Sequence, residues 1–420
     1  MVYELRNYQR EAVTAGLAYL TDPKLKGRNG IIVAATGSGK SLVIANIATA
    51  LNGPCIVFQP SKEILDQNLQ KLAHYGYRAA VFSASLGRRE IGTITLATIG
   101  SVVRHAEAFR HVKYVLIDEC HHNTSAKTGM VTDFLSALPD ARYLGLTATP
   151  FRLATSSFGS ELRFLTRTRP RIFRDVVHVT QIHDLVRDGY WCPLVYEDVP
   201  IIAREKLKLN STGADYTDAS VQLLFAEVGF VGRLCDEVQR QLTAGRKHVL
   251  VFTRFVDEAR RLAHAIPGAA YVTADTPAQE RERIIRDFRS GRIRVVSNCA
   301  VLGLGFDFPE LDCVVQARPT VSLAVHYQQI GRAVRPHPTK AQAHVVDLVG
   351  LVKQFGKVED LVIRPGGKTG EQWTVCSGTR ALTNTYFAQR DDLNPQVVAK
   401  MQKSRQYWAK QNGGQRWLRA

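Results

Sequence analysis

The chain has 420 residues, and at roughly 150 residues per domain that is two or three domains, each able to bury a core of its own, which excludes a single stapled module. Lys and Arg number 55 against 38 Asp and Glu, a formal charge of +17 that favours a polyanionic partner over an acidic or neutral one. With 45% hydrophobic and 22% charged residues and no long low-complexity tract, the composition is that of a folded globular protein and excludes disordered, collagen-like and mucin-like chains.

The opening MVYELRNYQREAV is charged throughout and has no apolar stretch suited to a signal peptide. Apolar runs such as 31–35 fall far short of the roughly 18 residues of a membrane span, so a cytoplasmic protein without a membrane partner is expected. Residues 5–20 place Leu5, Ala12, Val13, Leu17 and Leu20 near helical spacing and predict an amphipathic helix. From Ile31 short β-rich runs alternate with helical stretches: GIIVAA, a helix from Lys40 to about Leu51, CIVFQ, a helix over 61–74, AAVFS, TITLAT, YVLIDE and YLGLTAT. Four to six apolar residues per strand, alternating with helices, specify a parallel sheet covered on both faces.

After Pro150 the rhythm breaks, and the Arg-, Thr- and Ser-rich stretch 152–172 reads as an interdomain segment, followed by a helical stretch that ends at Gly189. A second series runs through HVLVFT, a helix over 256–265, AAYVTA, a helix over 277–289, IRVVSN, LDCVVQA, a helix over 321–333 and AHVVDLV. The expected fold is therefore α/β with two tandem units: a first domain over 1–193, a second over 194–360 and a short basic extension over 361–420. In that extension residues 394–420 carry no acid, and basic residues alternate with Tyr407, Trp408 and Trp417, the pairing that grips phosphates and stacks on bases; a solvated end would carry the same residues.

AATGSGKS at 34–41 follows the first strand and opens a helix, the context of a phosphate-binding loop, and departs from G-x-x-x-x-G-K-[ST] only in Ala34. In that setting Thr36, Gly37, Ser38 and Gly39 form the loop, Lys40 reaches the β and γ phosphates, and Ser41 is a ligand for Mg²⁺. YVLIDECHH ends a strand in two carboxylates, where Asp118 is placed to share Mg²⁺ and Glu119 to deprotonate the attacking water. QQIGRAVR at 328–335 sets Arg332 and Arg335 three apart on a predicted helix, either a solvated face or a pair of arginine fingers. The seven cysteines are scattered singly with no C-x-x-C pair and read as reduced thiols; His121 and His122, beside Cys120, are expected to point apart rather than share a metal.

Together LRNYQ, ATGSGKS, QPSKEILDQ, DECH, TATP, VLGLGFDFP and QQIGRAVR resemble, in order over about residues 3–350, the motifs of the superfamily 2 helicases and translocases. The stretches LRNYQREAV, DECHH, GLTATPFR and VLGLGFDFP are most similar to RadD-type DNA repair helicases, somewhat similar to XPB-type and restriction-motor proteins, and less so to DEAD-box RNA helicases. The resemblance implies two RecA-like domains, ATP and Mg²⁺ as cofactors, and single-stranded or branched DNA as partner, with RNA, or a clamp that does not unwind, as alternatives. It implies that Gln9, with Arg6, reads the adenine, that Gln328, Arg332 and Arg335 act with Lys40, Asp118 and Glu119 on the nucleotide, and that Gly305 and Asp307 touch it. His121, Thr147 and Thr149 would couple hydrolysis to domain movement. Ser61, Lys62, Thr98, Ile99, Gly100, Thr253 and Arg254 would hold a nucleic-acid backbone, although each is also what an ordinary loop or helix cap carries. Gly303 stands where a Thr is common in the family, and the cysteine-rich zinc region of RadD-type proteins has no counterpart here.

Overall fold

Runs of β-branched and aliphatic residues too short to be helices, each followed by a helical stretch, lay down the strands of two parallel sheets. A computed structural model describes residues 4–122, 129–156, 159–211, 213–303, 306–366 and 372–384. The first lobe contains β1 (Gly30–Ala34), β2 (Cys55–Gln59), β3 (Ala80–Ser83), β4 (Arg88–Arg89), β5 (Ile94–Thr98), β6 (Tyr114–Ile117) and β7 (Arg142–Thr147). A hairpin of β8 (Phe151–Ser156) and β9 (Gly159–Phe164) follows, and then β10 (Asp175–Thr180). The sheet order is β10-β1-β7-β6-β2-β5-β3-β4, parallel except for the short β4. Helices α1 (Asn7–Thr21), α2 (Lys40–Ala50), α3 (Lys62–His74), α4 (Ile99–Val102), α5 (Met130–Ser136) and α6 (Ile182–Arg187) surround it.

The strand period of two divides β1 between two cores. Ile32 and Ala34 pack with Ala12 and Leu20 of α1 and Ile44 and Ile47 of α2, whereas Ile31 and Val33 join Phe58, Ile117 and Phe134 on the opposite face. That second cluster continues without a break into Trp191, Tyr327 and Val334, so the lobes share one apolar core.

In the second lobe β11 (Leu194–Asp198), β12 (Val249–Thr253), β13 (Ala269–Val272), β14 (Val295–Asn298), β15 (Cys313–Ala317) and β16 (Ala343–Asp347) form a parallel sheet in the order β11-β16-β15-β12-β14-β13. Its helices are α7 (Asp218–Glu227), α8 (Phe230–Thr243), α9 (Val256–Ala265), α10 (Ala278–Arg289), α11 (Leu323–Ile330) and α12 (Leu351–Phe355). Among the described residues no helix is long and apolar enough to cross a membrane.

Three features depart from the sequence reading. The stretch 152–172 is not merely a connector, because it holds the β8–β9 hairpin and leads into β10, which extends the first sheet beyond β1. Residues 361–384 include an antiparallel sheet of β17 (Leu361–Gly366), β18 (Gln372–Ser377) and β19 (Arg380–Ala381) that returns to the first lobe. There the Gln181 side chain donates to Ile363 O (2.6 Å) and accepts its N–H (3.1 Å), and Asn384 accepts the N–H of Phe164 (3.1 Å). The basic aromatic tail over 394–420 lies outside the described residues. Finally, α11 ends at Ile330, so Arg332 and Arg335 sit in the turn beyond it and do not share a helix face.

The edge strand β10 is tied to α1 by charge. Asp175 Oδ2 accepts from Tyr19 Oη (2.6 Å) and Arg28 Nε (2.8 Å), and the Arg28 guanidinium holds the carboxyl below its ordinary value. A lowered carboxylate stabilises the fold above its unfolded-state pKa of about 3.9 and ceases to do so as pH falls through the folded value. Asp175→Asn is therefore expected to lower the thermal midpoint at pH 7 by about 2–4 °C. The difference should shrink as pH falls below the unfolded-state value and vanish once the folded carboxyl is protonated.

Candidate nucleotide site between the lobes

β1 ends in buried Ala34, and the chain turns through 35–39 into α2. Gly37 and Gly39 adopt φ of 76° and 82°, a left-handed conformation that side chains disfavour. A Cβ on Gly39 would also lie 2.5 Å from Gln9 Nε2. Gln9 Nε2 and Tyr8 Oη both donate to Ser38 O, at 2.8 and 2.9 Å, and the Arg6 N–H donates to Gln9 Oε1 at 3.0 Å. The Arg6 guanidinium lies 4.3 Å above the Tyr190 ring, which meets Tyr8 edge-on at 5.2 Å. Among the described residues Ser38 Oγ is buried with no hydrogen-bond partner, an acceptor and donor left over at the N-terminus of α2, where the helix dipole favours an anion. Gly39→Ala is expected to weaken nucleotide binding at least 10-fold, measured with a fluorescent ATP analogue, because strain of about 1–3 kcal/mol adds to the Gln9 clash.

Beyond β6, Asp118 is buried and its Oδ1 accepts the N–H of Glu119 at 2.9 Å. Glu119 itself has φ of 43°, which turns its side chain back to Lys40, with Nζ to Oε1 at 3.1 Å. Burial pushes both carboxyls up, but Lys40, His121 and His122 outweigh it at Glu119 and hold that group low, whereas the nearby Glu119 charge raises Asp118 further. His121 Nδ1 is 2.8 Å from Thr147 Oγ1, which also accepts the Thr149 N–H at 3.0 Å, and burial lowers the imidazole to about 4, so it is neutral. The His121 and His122 rings do not point apart: the chain turns after β6 and leaves their centres 4.0 Å apart. Ser41 Oγ donates to Asn68 Oδ1 (2.7 Å), whose Nδ2 donates to Gln59 Oε1 (2.7 Å).

The second lobe meets these groups directly. Gln328 Nε2 lies 3.4 Å from His121 Nε2. Arg332 donates to Phe306 O (2.9 Å) and, through Nε, to Gln328 O (3.2 Å), and burial with Arg335 close by holds its guanidinium down to about 10. Arg335 pairs with Asp307, which Lys71 of α3 approaches from the first lobe at 3.8 Å. A Cβ on Gly37 would stand 3.7 Å from Arg335 Cγ, so this arginine lies over the phosphate loop. Gly305 lies outside the described residues. Tyr8, Tyr190, Asn68, Tyr327 and Trp191, all at this cleft, escaped the sequence reading. Tyr8 and Tyr327 adjoin motif residues without being marked by them, and Tyr190, Trp191 and Asn68 reach the cleft from positions that no local pattern marks.

The residues assigned to a nucleic-acid track separate into two kinds. Lys62 and Gly100 are exposed; Ser61 caps α3 through Ile64 N–H (3.3 Å), Thr98 bonds Ser101 (2.8 Å) and Ile99 is buried. Thr253 and Arg254 are bonded inside the second lobe. Thr253 is buried and donates to Phe255 O (3.2 Å). Arg254 pairs with Asp215 and Asp218, each at 2.8 Å, and donates to Tyr216 O at 2.8 Å. The acids lie more than thirty residues upstream, so nothing near Arg254 in sequence announces them. Arg254→Ala is expected to cost on the order of 1 kcal/mol of stability, seen in denaturant melts, because Asp215 keeps Arg318 at 3.8 Å and Asp218 is exposed, while DNA affinity changes less than about 3-fold.

Two parallel α/β lobes that close a phosphate loop of one against an arginine turn of the other define the tandem RecA-like helicase class. The chain matches the type III restriction enzyme res subunit over residues 2–152 and the helicase conserved C-terminal domain over residues 231–337. It is 25% identical over 374 residues to the putative ATP-dependent helicase IRC3 of Saccharomyces cerevisiae, covering 82% of this chain and 51% of that one. It is 26% identical over 371 residues to the DNA 3′–5′ translocase XPB2 of Sulfurisphaera tokodaii, covering 80% of each. Its fold superposes on the ATP-dependent type ISP restriction-modification enzyme LlaBIII bound to DNA with a TM-score of 0.61 and 15% identity, over 83% of this chain and 28% of that one. The chain belongs to the superfamily 2 helicases. It spans about half to two thirds of the length of several curated relatives it matches.

Proposed function

We propose that this chain is an ATP-driven DNA translocase or helicase, of the kind found in XPB-type, RadD-type and restriction motors, that serves DNA repair, recombination or replication. The observation that carries the reading is the convergence of Lys40, Asp118 and Glu119 of the first lobe with Gln328 and Arg335 of the second around one glycine loop. The residues fit the cofactors: two left-handed glycines open the loop to phosphates, Ser38 Oγ has no partner among the described residues, and Ser41 and Asp118 are oxygen donors suited to a hard cation. Ser41 and Asp118 would hold Mg²⁺, which neutralises phosphate charge when bound.

In the structure Lys40 is paired with Glu119; bound phosphates draw it away and leave that carboxylate free to orient and deprotonate water. Arg335 exchanges Asp307 for the charge developing on the transferred phosphoryl group, and His121 relays the change through Gln328 and Thr147. Exposed Lys62 and the segment at 98–100, where Thr98 leads into α4 and Gly100 is exposed, hold the strand through its backbone, so binding is sequence-tolerant and weakens steeply with salt.

The test is steady-state ATP hydrolysis at fixed salt without nucleic acid and with single-stranded, duplex and forked DNA and RNA. DNA should stimulate turnover, and Lys40→Ala should lose it by at least about 100-fold. Full turnover by Lys40→Ala would overturn the nucleotide site. Stimulation by RNA alone would make RNA the track, and DNA-stimulated hydrolysis with neither strand displacement nor streptavidin removal from DNA ends would leave a clamp.

A further inference from the structure

One residue of the phosphate loop has both its backbone N–H and its backbone C=O bonded by residues that no motif includes. The Thr36 N–H donates to Tyr327 Oη at 3.0 Å, and Thr36 O accepts from Trp191 Nε1 at 3.0 Å. Both side chains are 2% exposed, and their ring centres lie 6.3 Å apart. Trp191 stands on the segment that joins the lobes, and the next residue, Cys192, donates its N–H to Val334 O (2.7 Å), beside Arg335.

Tyr327 is on α11, next to Gln328, which faces His121. Four residues further on, Gly331 packs against the same Thr36: a Cβ there would lie 2.9 Å from Thr36 Cγ2 and 3.1 Å from Tyr327 O, so only a glycine allows the approach. Phosphate loop, connecting segment and arginine turn are thus fastened to one another at a single residue. A buried amide that loses its partner is costly, so the loop cannot leave α11 without breaking these bonds.

We propose that Tyr327 and Trp191 are positioning residues that form an interlobe latch on the backbone of Thr36. The latch holds α11 in the phase that sets Arg335 over Gly37, so its closure governs turnover rather than nucleotide affinity. The N–H groups of the loop beyond Thr36 take no part in it. This rests on the ATPase reading given under Proposed function.

The test uses the full chain as Tyr327→Phe, which removes only the hydroxyl, Trp191→Phe, which removes the indole N–H, and the double variant. Each single change is expected to lower kcat of DNA-stimulated hydrolysis about 10-fold, the effect of one buried hydrogen bond, with KM and affinity for a fluorescent ATP analogue within about 2-fold. Because both bonds hold the backbone of the one residue Thr36, the double variant should lose little more than the worse single one. Unchanged kcat, an equal loss of nucleotide affinity, or losses that multiply in the double variant would each overturn the latch. If the wild type hydrolyses no ATP with any nucleic acid, it is the ATPase reading that fails. Hydrogen exchange of the peptide spanning Thr36 then decides the latch: faster exchange in Tyr327→Phe supports it, and unchanged exchange overturns it.

Discussion

Glu119→Gln is expected to bind ATP at least as tightly as the wild type while turnover falls by about 10²–10⁴-fold, the range of a lost general base. The carboxylate reaches the cleft because its backbone takes a φ of 43°, which aims Oε1 at Lys40 (3.1 Å) and Oε2 at His121 (3.5 Å). Gln keeps the size and the acceptor oxygen, so the fold and the loop should be unchanged and only the proton-accepting charge is lost. Removing that charge also frees Lys40 for phosphate, the reason affinity should hold or rise. Steady-state and single-turnover hydrolysis together with fluorescent-analogue titration measure both quantities. Wild-type turnover by this variant would remove Glu119 from the chemistry.

Arg335→Ala is expected to lower kcat by about 10³-fold or more, the scale of a missing arginine finger, with ATP affinity changed far less. Its aliphatic stem lies against Gly37, and in the structure its guanidinium is neutralised by Asp307, itself approached by Lys71 across the cleft. That arrangement keeps the arginine beside the phosphates without leaving its charge unpaired. Arg335→Lys should not rescue, since an ammonium cannot reproduce the planar fork that spans two oxygens. Asp307→Asn, which frees the arginine and leaves Lys71 unpaired, should loosen lobe closure, read as a larger radius of gyration by small-angle scattering. A Lys variant with full turnover would make Arg335 a simple countercharge.

Much of the architecture was legible because it is written locally. Strand runs such as GIIVA and CIVFQ are short, apolar and bounded by turns, so period and length sufficed to find β1, β2, β5, β6 and β7 and their partners in the second lobe. The glycine loop announced itself for the same reason: a strand, a turn that needs left-handed backbone and a helix N-terminus are contiguous in the chain. The helix reading of 321–333 failed at its end, because α11 stops at Ile330 where Gly331 packs on Thr36 and Arg332 turns to Phe306 O.

Spacing along the chain therefore settled the α/β class, the strand sequence and which residue types stand at the ends of β1 and β6. Only the folded chain decided which of the charged groups are spent internally and which face the cleft. Arg254 and Arg335 look alike as basic loop residues, yet one is locked between Asp215 and Asp218 and the other lies over Gly37 beside Asp307. Likewise Tyr327 and Trp191 are ordinary aromatic residues until the lobes dock and bring both to Thr36. The reason is physical: secondary structure answers to near neighbours, whereas the partner of a charge or a buried hydroxyl is set by contacts between residues up to nearly three hundred positions apart.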